Sequence, residues 1–420
     1  MNELIENVSA FDRLANCYAI APPEPDLTQA EVIRRARELM PWIREQSSAM
    51  EADRRISDEV NQRIMDAGFY RILQPRRFGG YEFDLSTFAE VISEITRGDG
   101  STGWVASFNV AHNWWIAQLP EQGQIEIFGP DGDVRAPIQI GAVGIATPVD
   151  GGWMISGKWD YTSGCDVSNW LGVIAMVKGP NPDAPPADIL MLMLPNADYT
   201  VFDNWHVMGM RASGSKQAIC ENVFVPSQRV LSFAALIHDF KSPGQAIDVH
   251  PMFRTPLLPI VYIELAAVAH GLAQAAIDAF VDVVSTKKLR LPPFVALKET
   301  RRAQACLGRA TAKLESVRAG MNELIRRQEA REMRVVSGPP FTDLEQRRDL
   351  LLLDEITQLS NDCVQICFKG AGTAAARAGN PLERIFRDSA MMGTHYFLDA
   401  ERTTENFGAL SFGLPPYSDL

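Results

Sequence analysis

GAGTAAARAGNPLERIFRDSAMMGTHYFLDAERTTENF, running from Gly370 to Phe407, holds the densest set of structural signals in the chain. Asn380-Pro381 marks a turn, because proline fixes φ and drives the residue before it out of the helical region. Beyond it, Ile385, Ser389, Met392 and Tyr396 recur every three or four residues, which predicts one face of an amphipathic helix. His395 falls on that predicted helix, two turns after Asp388. A histidine in an apolar segment is either a core residue satisfied by one hydrogen bond or a working acid–base. This segment alone favours the core reading. Gly370, Gly372 and Ala375 approach the GxGxxG/A dinucleotide fingerprint, with Asp388 following at a suitable distance. That fingerprint has to follow a strand, however, and Leu350 to Ile366 is helical by period and length. A glycine pair ending a helix fits better, and its backbone N–H groups can still meet an anion such as a phosphate.

A chain of 420 residues exceeds the roughly 250–300 that one core supports, so two or three packed units are expected. The net charge of −12 and the lack of a dense Lys/Arg stripe argue against nucleic acid and give no reason to expect an anionic membrane surface as partner. The first residues, MNELIENVSAFDRL, lack the basic and apolar regions of a secretory signal. The most apolar stretch, Pro256 to Gly271, is interrupted by Glu264 and too short to span a bilayer. Six cysteines, at 17, 165, 220, 306, 363 and 367, show no CxxC spacing. Cys363 and Cys367 lack a second ligand pair, so small core residues are the better account, and no metal is expected. The chain reads as a cytoplasmic protein.

Outward from the C-terminal stretch, three regions differ in period. Residues 1–133 read as an N-terminal α-helical domain. Thr28 with Glu31 predicts a capping box, Ser57 starts a second helix to Met65, a third covers Leu85 to Thr96, and a fourth runs from Trp104 to Ala117. Residues 134–235 read as a central β domain of short apolar runs, with Asp150-Gly151 as a hairpin signal. Residues 236–420 read as a C-terminal helical bundle. Leu307, Ala310, Leu314, Val317, Met321 and Leu324 repeat as a packing seam, as do Leu352, Ile356, Leu359, Cys363 and Ile366.

Four further motifs are candidates for chemistry. Trp159-Asp-Tyr-Thr162-Ser163-Gly164 ends a strand in a polar bend, suited to hydrogen-bonding the edge of a flat aromatic cofactor. His112-Asn-Trp114-Trp115 combines polar and aromatic groups on one predicted helix. Phe253-Arg254 places a cation in a loop before an apolar helix, either as a solvated linker charge or as an anchor for an anionic group. Met208-Gly-Met-Arg211-Ala-Ser213-Gly-Ser215 has loop chemistry before a strand end at Val223 to Pro226. His206, His238 and His270 show no metal-ligand spacing and read as structural.

Taken together, the Met208–Ser215 loop, the Trp159–Trp170 strand end and Pro381-Leu-Glu-Arg-Ile-Phe-Arg387-Asp388 resemble the acyl-CoA dehydrogenase fold over about residues 26–410. That resemblance implies an α+β architecture of N-terminal helices, a central β-barrel or sandwich and a C-terminal four-helix bundle. Gly141–Val149 lacks the EPxAGSD turn of the dehydrogenases, and His395 and Tyr396 stand where many of them supply a catalytic glutamate. His112, Ser163-Gly164, Phe253-Arg254 and His395 together are similar instead to two-component flavin-dependent monooxygenases of the p-hydroxyphenylacetate 3-hydroxylase and hydroxy-secosteroid hydroxylase type.

The resemblance implies an oxygenase that takes reduced flavin (FMN or FAD) from a separate NAD(P)H-dependent flavin reductase. With O₂ it would form a C4a-hydroperoxyflavin and hydroxylate a small phenolic or indole-like substrate. It implies catalytic roles for His112 and His395, and cofactor contacts for Trp159, Thr162, Ser163, Gly164, Arg254, Gly370 and Gly372. Trp114, Trp115 and Phe253 would bind substrate, and the family habit is a homotetramer. A dehydrogenase or oxidase, or an N- or S-oxygenating enzyme on the same fold, is the alternative.

Overall fold

In a computed structural model, residues 20–181, 184–237, 241–248, 250–335 and 341–417 are described; Cys17 and His238 lie outside them. Helices α1 (Gln29–Asp53), α2 (Asp58–Asp66), α3 (Leu85–Gly98), α4 (Gly100–Ala111), α5 (Asn113–Ala117) and α6 (Glu121–Phe128) come first. Strands β1 (Ile138–Val149), β2 (Gly152–Thr162), β3 (Trp170–Val177), β4 (Asp188–Pro195), β5 (Thr200–Phe202), β6 (Lys216–Pro226) and β7 (Val230–Ser232) follow. The short α7 (Phe233–Ile237) leads into α8 (Leu258–Thr286), α9 (Arg301–Arg334), α10 (Asp343–Ala371), α11 (Pro381–Met392) and α12 (Ala400–Ser411).

The predicted caps form, with one difference. Thr28 Oγ1 accepts from the Glu31 N–H at 3.2 Å, but the Glu31 carboxylate turns to Arg34 and Arg35, so only half of that capping box exists. Ser57 caps α2 through the Val60 N–H. The expected fourth helix is two: α4 starts four residues earlier than predicted, and the chain breaks at His112 before α5.

The seven strands form one mixed sheet in the order β5-β6-β2-β1-β3-β4-β7, the central β unit that the resemblance implies. Val149 and Gly152 close the predicted hairpin through Gly151 at φ +76°. Alternate residues Leu171, Val173, Ala175, Leu190, Leu192 and Leu194 bury one face in a core of its own, while Ile174, Met191 and Met193 face the helices. β1 leaves its ladder with β3 between Gln139 and Gly144, so Ile140 to Val143 stand out as a bulge.

In the helical bundle the α9 seam is buried as predicted except for half-buried Leu307, and α10 turns Leu353, Ser360 and Val364 inward alongside Ile356 and Cys363. Three long helices, α8 to α10, pack together, and the shorter α11 and α12 close the bundle. α8 is long and apolar enough to cross a membrane, but it is the buried centre of this bundle.

Two junctions set the geometry. Thr96 of α3 lies between Gly103 of α4 and Gly271 of α8; a Cβ on Gly103 would sit 1.9 Å from Thr96 Oγ1, and one on Gly271 2.4 Å from Thr96 Cβ. The second junction joins sheet to bundle. Asp388 of α11 accepts the Met210 N–H at 2.6 Å, and Arg387 donates to Met208 O at 2.5 Å. Gly209 between them must lack a side chain, because its Cβ would lie 2.1 Å from Arg387 O. Gly103→Ala should lower stability by about 1–3 kcal/mol through overpacking at Thr96. A urea midpoint equal to wild type would contradict that packing account.

Candidate active site

α4 begins where it does because Asp99 turns the chain, accepting the Thr102 N–H and hydroxyl, each at 2.8 Å. From that start Trp104 and Phe108 share one face, and His112 follows at the same spacing. His395 meets Trp104 edge-on at 5.4 Å, Trp104 meets Phe108 at 4.7 Å, and Phe108 stacks on His112 at 5.5 Å. Two aromatic rings therefore link the two histidines. His112 also meets Trp115, which stacks on Phe233.

The end of β2 joins this wall. Trp104 Nε1 donates to Ser163 Oγ at 3.2 Å, and Ser163, Ser215 and Ser213 form a buried hydroxyl chain with contacts of 2.8 and 2.7 Å. Gly164, at φ +79°, lets the bend pass within contact of Val105. The Thr162 hydroxyl donates to Lys216 O at 2.6 Å.

Burial holds both imidazoles well below the ordinary histidine value, at about 4, opposed at His112 by its contact with Ala136 O. Neither Nε2 has a hydrogen bond to a described residue, and neither is among the sealed unpartnered atoms, so both border open space. Arg254 sits on a short turn held by Trp114 Nε1 on Met252 O at 2.9 Å and Gln118 on Phe253 O at 3.1 Å. Its Nε is sealed and unpartnered.

Several expectations change. His395 is not on a helix: α11 stops at Met392, and His395 caps the following turn, with Tyr396 exposed. Trp159 points into the sheet's own core and donates to Ile174 O at 2.8 Å, leaving no face for a cofactor. Trp114 and Phe253 are core residues that brace the Arg254 turn, and Trp115 backs His112. Gly370 packs against Phe280 and Cys306, and Gly372 ends α10 at φ +74°. Phe280 lies about 27 Å along α8 from Tyr262, which touches Phe397 beside His395. The two glycines are therefore remote from the imidazoles within one chain. Trp104 and Phe108 were missed, although the four-residue spacing Trp104–Phe108–His112 signals a shared helical face.

A cleft of about 280 Å³ opens at the far end of α4, lined by Arg44, Arg97, Asp99 and Arg384. Its arginines are matched, Arg44 and Arg97 to Asp278 and Arg384 to Ser47.

Residues 263–400 match the family of the acyl-CoA dehydrogenase C-terminal domain. The chain is 31% identical over 384 residues to the flavin-dependent monooxygenase oxygenase subunit HsaA of Rhodococcus jostii, covering 91% of this chain and 98% of that protein. The chain belongs to the flavin-dependent monooxygenase oxygenase subunits. This oxygenase subunit also superposes on the 3-HSA hydroxylase of Rhodococcus sp. RHA1 with a TM-score of 0.85, 30% identity and coverage of 92% and 98%. XiaF from Streptomyces sp., solved with FADH2 and glycerol, gives 0.82 at 25% identity, with coverage of 93% and 97%. The fold is thus that of the acyl-CoA dehydrogenases.

As pH falls, the unfolded oxygenase subunit protonates its histidines near the ordinary value of about 6.5, whereas folded His112 and His395 resist until about 4. Unfolding takes up protons in that window, so both groups lower stability as the solution is acidified. His395→Gln should flatten the fall by up to about 1.4 kcal/mol per pH unit, read from urea melts at several pH values. An unchanged slope would show that His395 is not held neutral.

Proposed function

We propose that this oxygenase subunit hydroxylates a small phenolic substrate, using reduced flavin delivered by a separate NAD(P)H-dependent flavin reductase. The observation that carries the reading is the pair of neutral, unpartnered imidazole edges on the Trp104–Phe108 wall beside Ser163. A flavin fits the donor set: the outer nitrogens of Arg254 carry no hydrogen bond to a described residue and, unlike its Nε, are not sealed, so an anionic ring oxygen or nitrogen would find donors there. Ser163 and Gly164 would hold the ring edge. Reduced flavin, when bound, supplies the electrons for O₂ activation, with one oxygen atom entering the substrate and the other leaving as water.

The chain's own groups do the rest. The Trp104 and Phe108 rings exclude water and flank a flat guest. His112 and His395 hold the substrate hydroxyl through Nε2, because a ring bearing phenolate character attacks oxygen more readily. Full proton transfer to an imidazole with a value near 4 is uphill, so strong hydrogen bonding, or a tight ion pair with the phenolate, is the form this assistance takes. A dehydrogenase reading fares worse: Asp388 is engaged by the Met210 N–H through Oδ1, and desolvation raises Glu264 well above the ordinary carboxyl range. Homotetramer formation is part of the proposal, supported by exposed Phe412, Leu414 and Tyr417 at the C-terminal end.

His395→Ala should leave reduced-flavin affinity within about twofold of wild type while product per NADH falls roughly tenfold or more and hydrogen peroxide rises in step. Undiminished coupling would remove His395 from the reaction. Arg254→Ala should weaken reduced-flavin binding, measured anaerobically by ring fluorescence.

A further inference from the structure

One atom of His112 faces two incompatible partners. Its Nδ1 lies 2.8 Å from the Ala136 carbonyl oxygen and 3.0 Å from the Ile138 nitrogen. A ring nitrogen of neutral imidazole carries either a hydrogen or a lone pair in that plane, never both. With the hydrogen on Nδ1, His112 donates to Ala136 and leaves the Ile138 N–H unpaired. With a lone pair on Nδ1, it accepts from Ile138 and leaves the Ala136 carbonyl facing a lone pair. Each tautomer orphans one buried backbone group, and leaving such a group unpaired is costly on either side. The two costs nearly cancel.

Little else around the ring breaks the tie. Phe108 stacks on one face and Trp115 meets an edge, and burial and the Ala136 contact are the resolved influences on its protonation. The intervening Pro137 has no N–H to offer, and its carbonyl is taken by the Gly172 N–H at 2.8 Å. Ile138 is fixed in register opposite Gly172, so neither backbone group can swing away. His395 is different. Its Nδ1 accepts from one backbone donor, the Phe397 N–H at 3.4 Å, which favours the tautomer with hydrogen on Nε2.

We propose that the Ala136-Pro137-Ile138 segment at the start of β1 is a tautomer clamp. It leaves His112 free to present Nε2 either as a bare acceptor or as an N–H donor without moving the ring, while His395 is fixed as a donor. A hydroxyl guest would draw His112 into the Nδ1–H form, and an anionic or carbonyl oxygen would draw it into the Nε2–H form. The site then holds a phenol and its phenolate in one pose. This rests on the phenolic reading above, but its test does not need turnover.

The test is ¹⁵N imidazole NMR of the flavin-free protein, alone and with p-nitrophenol, whose bound ionisation is visible by absorbance. Ligand-free His112 should show ring ¹⁵N shifts averaged between the two neutral tautomers, whereas His395 shows one. Neutral p-nitrophenol should move His112 towards the Nδ1–H form, and the bound phenolate should reverse it. His112→Asn can satisfy either backbone group but has no atom at Nε2. It should keep the wild-type melting midpoint and raise the apparent ionisation of the bound probe by about one pH unit or more.

A single His112 tautomer under all conditions overturns the clamp, as does an Asn variant that ionises the probe like wild type. If the tautomers respond as stated but no phenol is ever hydroxylated with reduced flavin and oxygen, the clamp stands and the functional reading fails.

Discussion

The arrangement depends on a carboxyl group that takes no part in the chemistry. Asp388 accepts the Met210 amide and approaches the start of α4 at Gly100. Through that one residue the loop carrying Ser213 and Ser215, the helix carrying Trp104 and the segment leading to His395 share a common support. Burial, then the neighbouring Asp99, pushes Asp388 up to about 7, while the Met210 hydrogen bond and Arg384 and Arg387 pull the other way. The cost of burying it is offset by what it orders: sheet and bundle come into contact through backbone, at Gly209, with no side chain between to act as a cushion.

Electrostatically the interior works by keeping groups uncharged. Desolvation lowers His112, His270 and His395 to about 4 and raises Glu264 well above its ordinary range. A neutral imidazole can serve as donor or acceptor, and burial preserves that choice at His112, whereas the Phe397 amide settles it at His395. Charge is kept inside where it is paired, as at Arg331 and Asp349.

Much of this was legible in the sequence where a local rule acts alone. Ser57 caps a helix because its hydroxyl reaches three residues along the same chain, and Asp150-Gly151 closes a hairpin because glycine tolerates positive φ. The α9 seam was readable because one period runs for many turns. The pairing of His112 and His395 with Ser163 came from resemblance. Periodicity does not say where a helix stops, so His395 was set on α11 although the chain turns at Gly393 and Thr394. Nor does strand alternation say which face is which, and Trp159, on the parity assigned to the flavin, belongs to the sheet's inner core. Gly370 obeys a local glycine pattern whose purpose is close approach to Phe280 and Cys306, a contact no nearby residue announces.

The bulge from Ile140 to Val143 has a separate significance. It begins two residues after the amide that touches His112, yet its backbone lies outside the ladder that fixes β1 against β3. Lengthening such a segment costs only the slowly growing entropy of a longer loop and leaves strand register untouched. The helix that carries Trp104 and Phe108, by contrast, is locked at Thr96 between two glycines. Changes of length and side chain are therefore tolerated at this bulge, within two residues of the amide that holds His112, while the junction at Thr96 is inherited unchanged.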